Sequence, residues 1–336
     1  MNSDIIYDTL IIGAGLSGIG AACRFKTAFP DDSLAIIEAR DAIGGTWDLF
    51  RYPGIRSDSD MLTLGYEFRP WRGDKFLADG PSIKRYVETV AEEYDVTRHI
   101  QFSSKVSSLD FFSDTDLWTV TVTDAKTGKA RQMQARFIIS AAGYYNYDQG
   151  YTPDFEGRGD FKGDIIHPQH WPEGFDYAGK KIVVIGSGAT AVTLIPELAK
   201  TAAHVTMLQR SPSYVASIPS RDRLGNLINV VLPETLSFRV NRAKNIAISR
   251  YMYKKAMAKP EKTKAWFRKK TLKALGADYP VDTHFKPRYN PWEQRLCAVP
   301  GGDLFKAISN GSASVVTNNI KHFTETGIQL TTGEHI

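Results

Sequence analysis

The residues best placed to do chemistry in this 336-residue chain lie in two glycine-rich loops. The first, Gly13-x-Gly15-x-x-Gly18, is preceded by an apolar run at residues 7–12 and followed by a helical stretch at 19–27. A second apolar run, 33–37, ends at Glu38, about twenty residues beyond the last glycine. Glycines at these positions permit a tight turn and let the backbone approach a pyrophosphate. The helix behind them offers unpaired N–H groups and the positive end of its dipole. Glu38 can accept hydrogen bonds from a ribose diol, and its charge disfavours a 2′-phosphate. Strand, loop, helix and acid together predict a dinucleotide site rather than a structural glycine turn.

The second loop is Gly186, Ser187, Gly188, Ala189, Thr190 and Ala191, with alanine as the accepted variant at the third glycine. A β-branched run at 181–185 enters it and a helix to about residue 200 leaves it. The next strand, 205–208, is followed by Gln209, Arg210 and Ser211 where the first unit has its acid. A guanidinium and a hydroxyl bind a 2′-phosphate that an acid would repel, so this loop predicts NADPH rather than NADH. Two adjacent dinucleotide units of opposite ribose preference imply FAD in the first and a hydride passing to it from NADPH.

Between the loops lies FKGDIIHPQHWP, residues 161–172. Phe161, Gly163, His167, Trp171 and Pro172 fit F-x-G-x-x-x-H-x-x-x-W-P without a gap. On this stretch the chain resembles the type I Baeyer–Villiger flavin monooxygenases. The phrases at 166–172 and 290–297 look very like one branch of that family, and the likeness runs from about Tyr7 to the end. The resemblance implies FAD contacts from Ser17, Glu38, Thr46, Trp47 and Asp58, with Val106 at the adenine end; GGTW at 44–47 and RYPGIRSD at 51–58, including Arg56 and Ser57, are its FAD-contacting segments. It also implies that Arg295, where the chain returns from a helical insertion, is the catalytic arginine and that Asp58 orients it. Many relatives carry Lys before that arginine; Gln294 here leaves the 2′-phosphate mostly to Arg210.

The implied reaction inserts one oxygen atom of O2 beside a ketone carbonyl through a C4a-peroxyflavin, giving an ester, with oxygenation of sulfides or thioamides as a further outlet. Arg295 would stabilise negative charge on the peroxide and the adduct oxygen. His167 reads as a hydrogen-bonded hinge residue rather than a general base. A nitrogen- or sulfur-oxidising flavin monooxygenase is the alternative enzyme, and Trp171 and Arg295 argue against it. A nucleotide-binding fragment without turnover is the non-enzymatic alternative. A disulfide reductase would need a redox cysteine pair, and Cys23 and Cys297 stand far apart.

These residues must be positioned by an α/β fold: two Rossmann-type dinucleotide-binding domains with a helical insertion in the second. The expected layout is an FAD domain at 1–147, a linker with the fingerprint at 148–180, an NADPH domain at 181–216 and 297–336, and an insertion at 217–296. Within the first, 81–93 reads as a helix, 118–123 as a strand, 124–128 as a hairpin turn and 137–143 as a buried strand. Residues 234–259 and 261–275 have helical spacing broken at Pro260. The chain ends in a hairpin entering its second strand, so a truncated chain, lacking the C-terminal part of the FAD domain, is expected.

Composition is that of a globular protein, 42% hydrophobic and 24% charged. No apolar run reaches the roughly 18 residues of a membrane helix, and acidic residues occupy the N-terminus where a signal peptide is basic. Two lone cysteines exclude a disulfide framework or a zinc site and suit a reducing cytoplasm. That compartment discounts the glycosylation sequon at Asn310 and the Arg72-Gly73-Asp74 tripeptide. Net charge is +5, and from Arg239 to Lys273 the one acid is Glu261. Amphipathic spacing makes that stretch a solvated helical face rather than a nucleic-acid site, with an anionic membrane surface as its other partner. Oligomeric state is not encoded in any of these signals.

Overall fold

The computed structural model describes residues 5–73 and 75–336; Asp74 of the tripeptide and Asp4, the first acidic residue of the N-terminus, lie outside that set. The chain forms two compact units, Met1–Arg51 with Gly80–Gln149, and Tyr52–Asp79 with Gly150–Ile336.

The first unit is a six-stranded sheet of order β3-β2-β1-β6-β5-β4. Strands β1 (Ile6–Ile12), β2 (Leu34–Ile37) and β3 (Ile100–Gln101) are parallel. Strands β4 (Ser104–Phe112), β5 (Leu117–Asp124) and β6 (Ala130–Ser140) form an antiparallel meander, and the end of β6 pairs parallel with β1. The parallel strands are buried because helix α1 (Leu16–Ala28) packs onto the sheet, and helix α2 (Gly80–Glu93) packs in turn against α1. Helix α2 buries Ile83, Tyr86, Val87 and Val90 on one stripe, the periodicity legible in its sequence. Leu10, Ala35, Ile37, Val120 and Val122 make the core.

The buried strand expected at 137–143 is corrected in part. A strand forms there as far as Ser140, but Phe137 is 68% exposed and Ile139 37%. Strand β5 stops pairing at Ala135, so beyond that point β6 has β1 alone beside it.

The second unit holds a parallel sheet of order β11-β8-β7, from β7 (Lys181–Ile185), β8 (His204–Gln209) and β11 (Ala313–Thr317). Helix α3 (Ala189–Leu198) follows β7 and buries Val192, Leu194 and Ile195. Strands β9 (Tyr214–Ile218) and β10 (Leu296–Pro300) pair parallel, and β12 (Ile320–Phe323) with β13 (Ile328–Leu330) antiparallel. Ile336 exchanges backbone hydrogen bonds with Ile328 at 2.8 and 3.0 Å, which is the hairpin's second strand.

The stretch 150–180 is packed into this unit rather than strung out as a linker. Phe155 and Phe161 meet Phe323 at centroid distances of 5.5 and 6.3 Å, and Lys162 N donates to Glu325 O at 3.0 Å. Residues 52–79 also belong here rather than with the first nucleotide loop.

The insertion is built from α4 (Arg223–Val231), α5 (Glu234–Ala258) and α6 (Pro260–Leu275), followed by a short helical turn at Val281–His284. Pro260 ends one and starts the next because its ring cannot continue a helix yet suits a first turn. The amphipathic reading of α5 is corrected. Its buried face carries Ser237, Asn241 and Asn245 beside Phe238, while Leu236, Ile248, Tyr251 and Met257 are exposed. Polar bonds dock it: Asn241 Nδ2 donates to Asn229 Oδ1 at 2.9 Å, Asn245 Nδ2 to Asp60 Oδ1 at 3.0 Å, and Arg242 Nη1 to Leu62 O at 2.5 Å.

Candidate cofactor and active-site residues

The first loop is shaped by backbone that no side chain tolerates. Gly13 has φ +101°, and a Cβ on Gly18 would stand 1.9 Å from Gly13 O. Gly15 faces Gly45, itself at φ +55°, where an added Cβ would be 3.0 Å from Gly15 Cα. Two glycine segments therefore meet backbone to backbone.

Helix α1 starts at Gly15 with no side-chain cap hydrogen bond and no acid in its first turn, so the positive end of its dipole suits a pyrophosphate. Glu38 is 5% exposed. Its Oε2 accepts from Ala14 N at 2.7 Å and its Oε1 from Arg40 N at 2.9 Å. Each oxygen keeps a further lone pair for a ribose hydroxyl. These features fit a dinucleotide: Gly13, Gly15, Ser17, Gly18 and Glu38 would hold it. Val106 packs half-buried against the sheet core, two residues beyond Ser104, whose N donates to Glu38 O at 2.9 Å.

Sequence reasoning missed what braces this loop. Asp48, in the short helix Thr46–Leu49, is 2% exposed. Its carboxylate takes Lys84 Nζ at 2.7 Å and Arg40 Nε at 3.1 Å, with a second bond from Arg40 Nη2. Burial pushes the Asp48 carboxyl up, but bonds from Lys84 and Arg40 outweigh it and hold the group below the usual carboxylate range. Tyr147 lies under the Arg40 guanidinium at 5.9 Å, its Oη 3.3 Å from where a Gly45 side chain would begin. Trp47 is half-buried on the same short helix.

In the second unit the glycine loop repeats with a different neighbour. Gly186 has φ +129°, and a Cβ on Gly188 would lie 2.6 Å from Arg295 Nη1. The arginine thus rests against the loop where only glycine leaves room. Helix α3 starts at Gly188, again without a side-chain cap or first-turn acid, with Ala189, Thr190 and Ala191 in its first turn. Ser187 Oγ sits 3.0 Å from Ser213 Oγ. Arg210 and Ser211 are exposed beyond β8, whereas Gln209 is buried, donating to His284 O at 2.8 Å and Thr317 Oγ1 at 2.9 Å. The loop and Arg210 fit a second dinucleotide.

Arg295 is set at the entry to β10. Tyr289 Oη donates to its carbonyl at 2.8 Å, and Tyr214 Oη to Tyr289 O at 2.9 Å. The preceding turn is closed by Asn290 N and Nδ2 on Glu293, at 2.8 and 2.6 Å, and Trp292 takes the left-handed φ of +70°. Such local strain is maintained by the surrounding bonds.

Arg295 and Asp58 both bear electrostatically on the Cys297 thiol, which burial pushes up to about 11. No ion pair joins Arg295 and Asp58 among the described residues, so the direct orienting contact expected between them is absent from this structure. Asp58 is exposed, with Ser59 Oγ 3.4 Å from its Oδ1, next to buried Ser57, whose Oγ donates to Ser59 O at 2.7 Å. Burial pushes the Cys23 thiol up to about 12, so neither cysteine is a thiolate nucleophile.

His167 is packed: a Cβ on Gly150 would meet its ring at 2.2 Å, and its Nδ1 accepts from Gln169 N at 3.2 Å. Trp171 makes edge contacts with Phe175 and Tyr177 at 6.1 and 6.2 Å.

The sequence profile of flavin-binding monooxygenase-like proteins matches residues 74–281, and that of an NAD(P)-binding Rossmann-like domain matches 11–70. The FAD-containing monooxygenase EthA of Mycolicibacterium smegmatis is 52% identical over 98% of the chain. The chain belongs to the flavin-binding monooxygenases. Within them, the putative FAD-containing monooxygenase MymA of Mycobacterium tuberculosis is 50% identical over 98% of the chain. Both matches cover 67% of the relative, so the chain spans about two thirds of their length. Among solved flavin-binding monooxygenases, an oxidised steroid monooxygenase bound to NADP superposes with a TM-score of 0.81 at 25% identity, covering 99% of this chain and 70% of that one. No helix of the described residues is long and apolar enough to cross a membrane.

Proposed function

We propose that this chain carries the dinucleotide and catalytic residues of an FAD- and NADPH-dependent Baeyer–Villiger monooxygenase. The net reaction takes a ketone, O2, NADPH and a proton to an ester, NADP+ and water. Bound FAD supplies the redox chemistry, accepting a hydride from NADPH and delivering electrons to dioxygen.

The remaining work belongs to side chains. Gly13, Gly15, Ser17, Gly18, Glu38, Thr46 and Trp47 hold the flavin dinucleotide. Gly186, Ser187, Gly188 and Thr190 hold the pyrophosphate of NADPH, and Arg210 with Ser211 takes the 2′-phosphate through charge-assisted bonds. Arg295 is the catalytic group, offering N–H donors to oxygen that becomes negative when the ketone carbonyl is attacked. The observation that carries this reading is the guanidinium resting on the coenzyme loop, at the spot a Gly188 side chain would fill. Asp58 acts on Arg295 through its field rather than through a contact. Sulfides and thioamides are alternative acceptors at the same site, needing no carbonyl.

The test is Arg295→Ala, assayed with a ketone beside a sulfide and an amine. Loss of a transition-state donor of this kind lowers turnover by roughly a hundred- to a thousandfold, while flavin content stays as in the parent. Full ester formation by the variant would end the catalytic assignment. Amine oxidation without ester formation by the parent would move the chain to the nitrogen-oxidising branch.

A further inference from the structure

Arg56 is tied to a residue that no motif points to. Its Nη1 donates to Asp303 Oδ2 at 2.5 Å, across 247 residues of sequence. The pair is largely shielded, with side chains 15% and 29% exposed. Asp303 is itself fixed at the start of α7 (Asp303–Ser309), its Oδ1 accepting from Leu304 N at 2.8 Å. Ser57 N donates to Ala78 O at 2.9 Å, so the segment that carries Arg56 is also held by its backbone.

The other guanidinium nitrogen, Nη2, is buried and has no hydrogen-bond partner. A buried charged donor without an acceptor is costly, and in native proteins it signals a group yet to arrive. The surroundings say which group. Arg56 lies within electrostatic reach of buried Tyr52, and a Cβ on Gly54, two residues before it, would stand 3.2 Å from Thr193 O on helix α3, which the second loop opens. Arg56 is thus a fixed cation beside the second glycine loop.

We propose that Asp303 is a positioning residue for coenzyme binding. By pinning Arg56 through Nη1, it holds Nη2 as a preformed donor for an anionic oxygen of the nicotinamide dinucleotide at the Gly188–Thr190 loop. The inference rests on the NADPH reading of that loop and adds to it two residues, one from each side of the insertion. No bond is made or broken in this step; the coenzyme oxygen replaces the missing acceptor.

The test is equilibrium binding of NADP+ to the FAD-loaded chain by titration calorimetry, with thermal midpoint and flavin content measured alongside. Charge alone gives one sign: removing an acid near an anion site tightens NADP+. Positioning gives the opposite sign. Asp303→Asn is expected to weaken NADP+ about tenfold with flavin content unchanged, and Asp303→Glu to restore most of the affinity. Arg56→Gln is expected to weaken it to the same degree, and Arg56→Gln with Asp303→Asn no further, because both act through one guanidinium.

Equal or tighter binding by Asp303→Asn overturns the proposal. So does a loss that Asp303→Glu fails to restore, or losses that add in the double variant. A parent chain that retains flavin but binds no NADP+ removes the NADPH reading itself, and the proposal with it.

Discussion

Replacing Asp48 by Asn should cost the first unit about 3 kcal/mol. The carboxylate is 1% exposed at its side chain, between Arg40 and Lys84, which are 24% and 28% exposed. At an effective dielectric near 20, one such contact is worth roughly 4 kcal/mol gross at 4 Å. Desolvating the acid offsets much of the sum, but that offset is already met by the fold. Asn keeps the shape and turns an NH2 towards cations that stay where they are, the situation in which breaking a buried pair costs roughly 3–5 kcal/mol. Arg51, 64% exposed at 3.3 Å, is too well solvated to add to this.

The loss has a functional address. A Cβ on Gly44 would touch Asp48 Cβ and Lys84 Cγ at 3.3 Å, so the cluster fixes the segment that brings Gly45 onto Gly15. Flavin retention should therefore fall with stability. The assay is thermal and urea unfolding of both forms, with released flavin measured by fluorescence; the transition should drop by roughly 10 °C. The pH dependence supplies the sign. A carboxyl held below its unfolded value stabilises fully above about pH 4 and loses that contribution as pH falls through the folded value. The parent should lose stability on acidification below the ordinary aspartate range, and the variant should lose less. A change under about 1 kcal/mol, or identical acid limbs, would refute the reasoning.

The other outcomes separate the two loops. Gly18→Ala places a Cβ 1.9 Å from a backbone oxygen that cannot move aside, so the variant should fail to retain flavin on gel filtration. Gly188→Ala meets only the mobile end of Arg295, so it should fold, keep flavin and lose tenfold or more in NADP+ affinity; unchanged affinity would remove the arginine from the loop. Arg210→Ala should lower the preference for NADPH over NADH by roughly ten- to a hundredfold, the value of charge-assisted bonds to phosphate; an unchanged ratio of kcat/KM would discard that role.

What could be read from the chain was what repeats locally. The glycine spacings, the apolar runs before them and Glu38 all act within one strand–turn–helix unit, so order along the chain is order in space. Pro260 breaks a helix by its own geometry and was equally legible. The Asp48 cluster was not, because Lys84 arrives from 36 residues away on a different helix. Asp303 and Arg56 are further apart still, and Asp303 sits in no pattern. Helix α5 misled for another reason: periodicity reports where apolar residues lie, whereas Asn241 and Asn245 are buried because specific acceptors wait for them. The exposed Phe137 shows the same limit, since an apolar run specifies a strand but not which strands will flank it.

One motif is therefore used in two ways, and the difference lies outside it. In the first unit the middle glycine faces another glycine, and the nearby carboxylate is drawn into the backbone of the loop, closing the site around groups that donate hydrogen bonds. In the second unit the middle glycine faces an arginine, a further arginine is held by an acid on a distant helix, and the residue after the second strand is a solvated cation. Both loops lead into a helix with no side-chain cap hydrogen bond and no acid in its first turn. The selectivity between a bare ribose and a phosphorylated one must then come from the sign of what approaches the loop, and each sign is set by residues that the loop's own sequence does not contain.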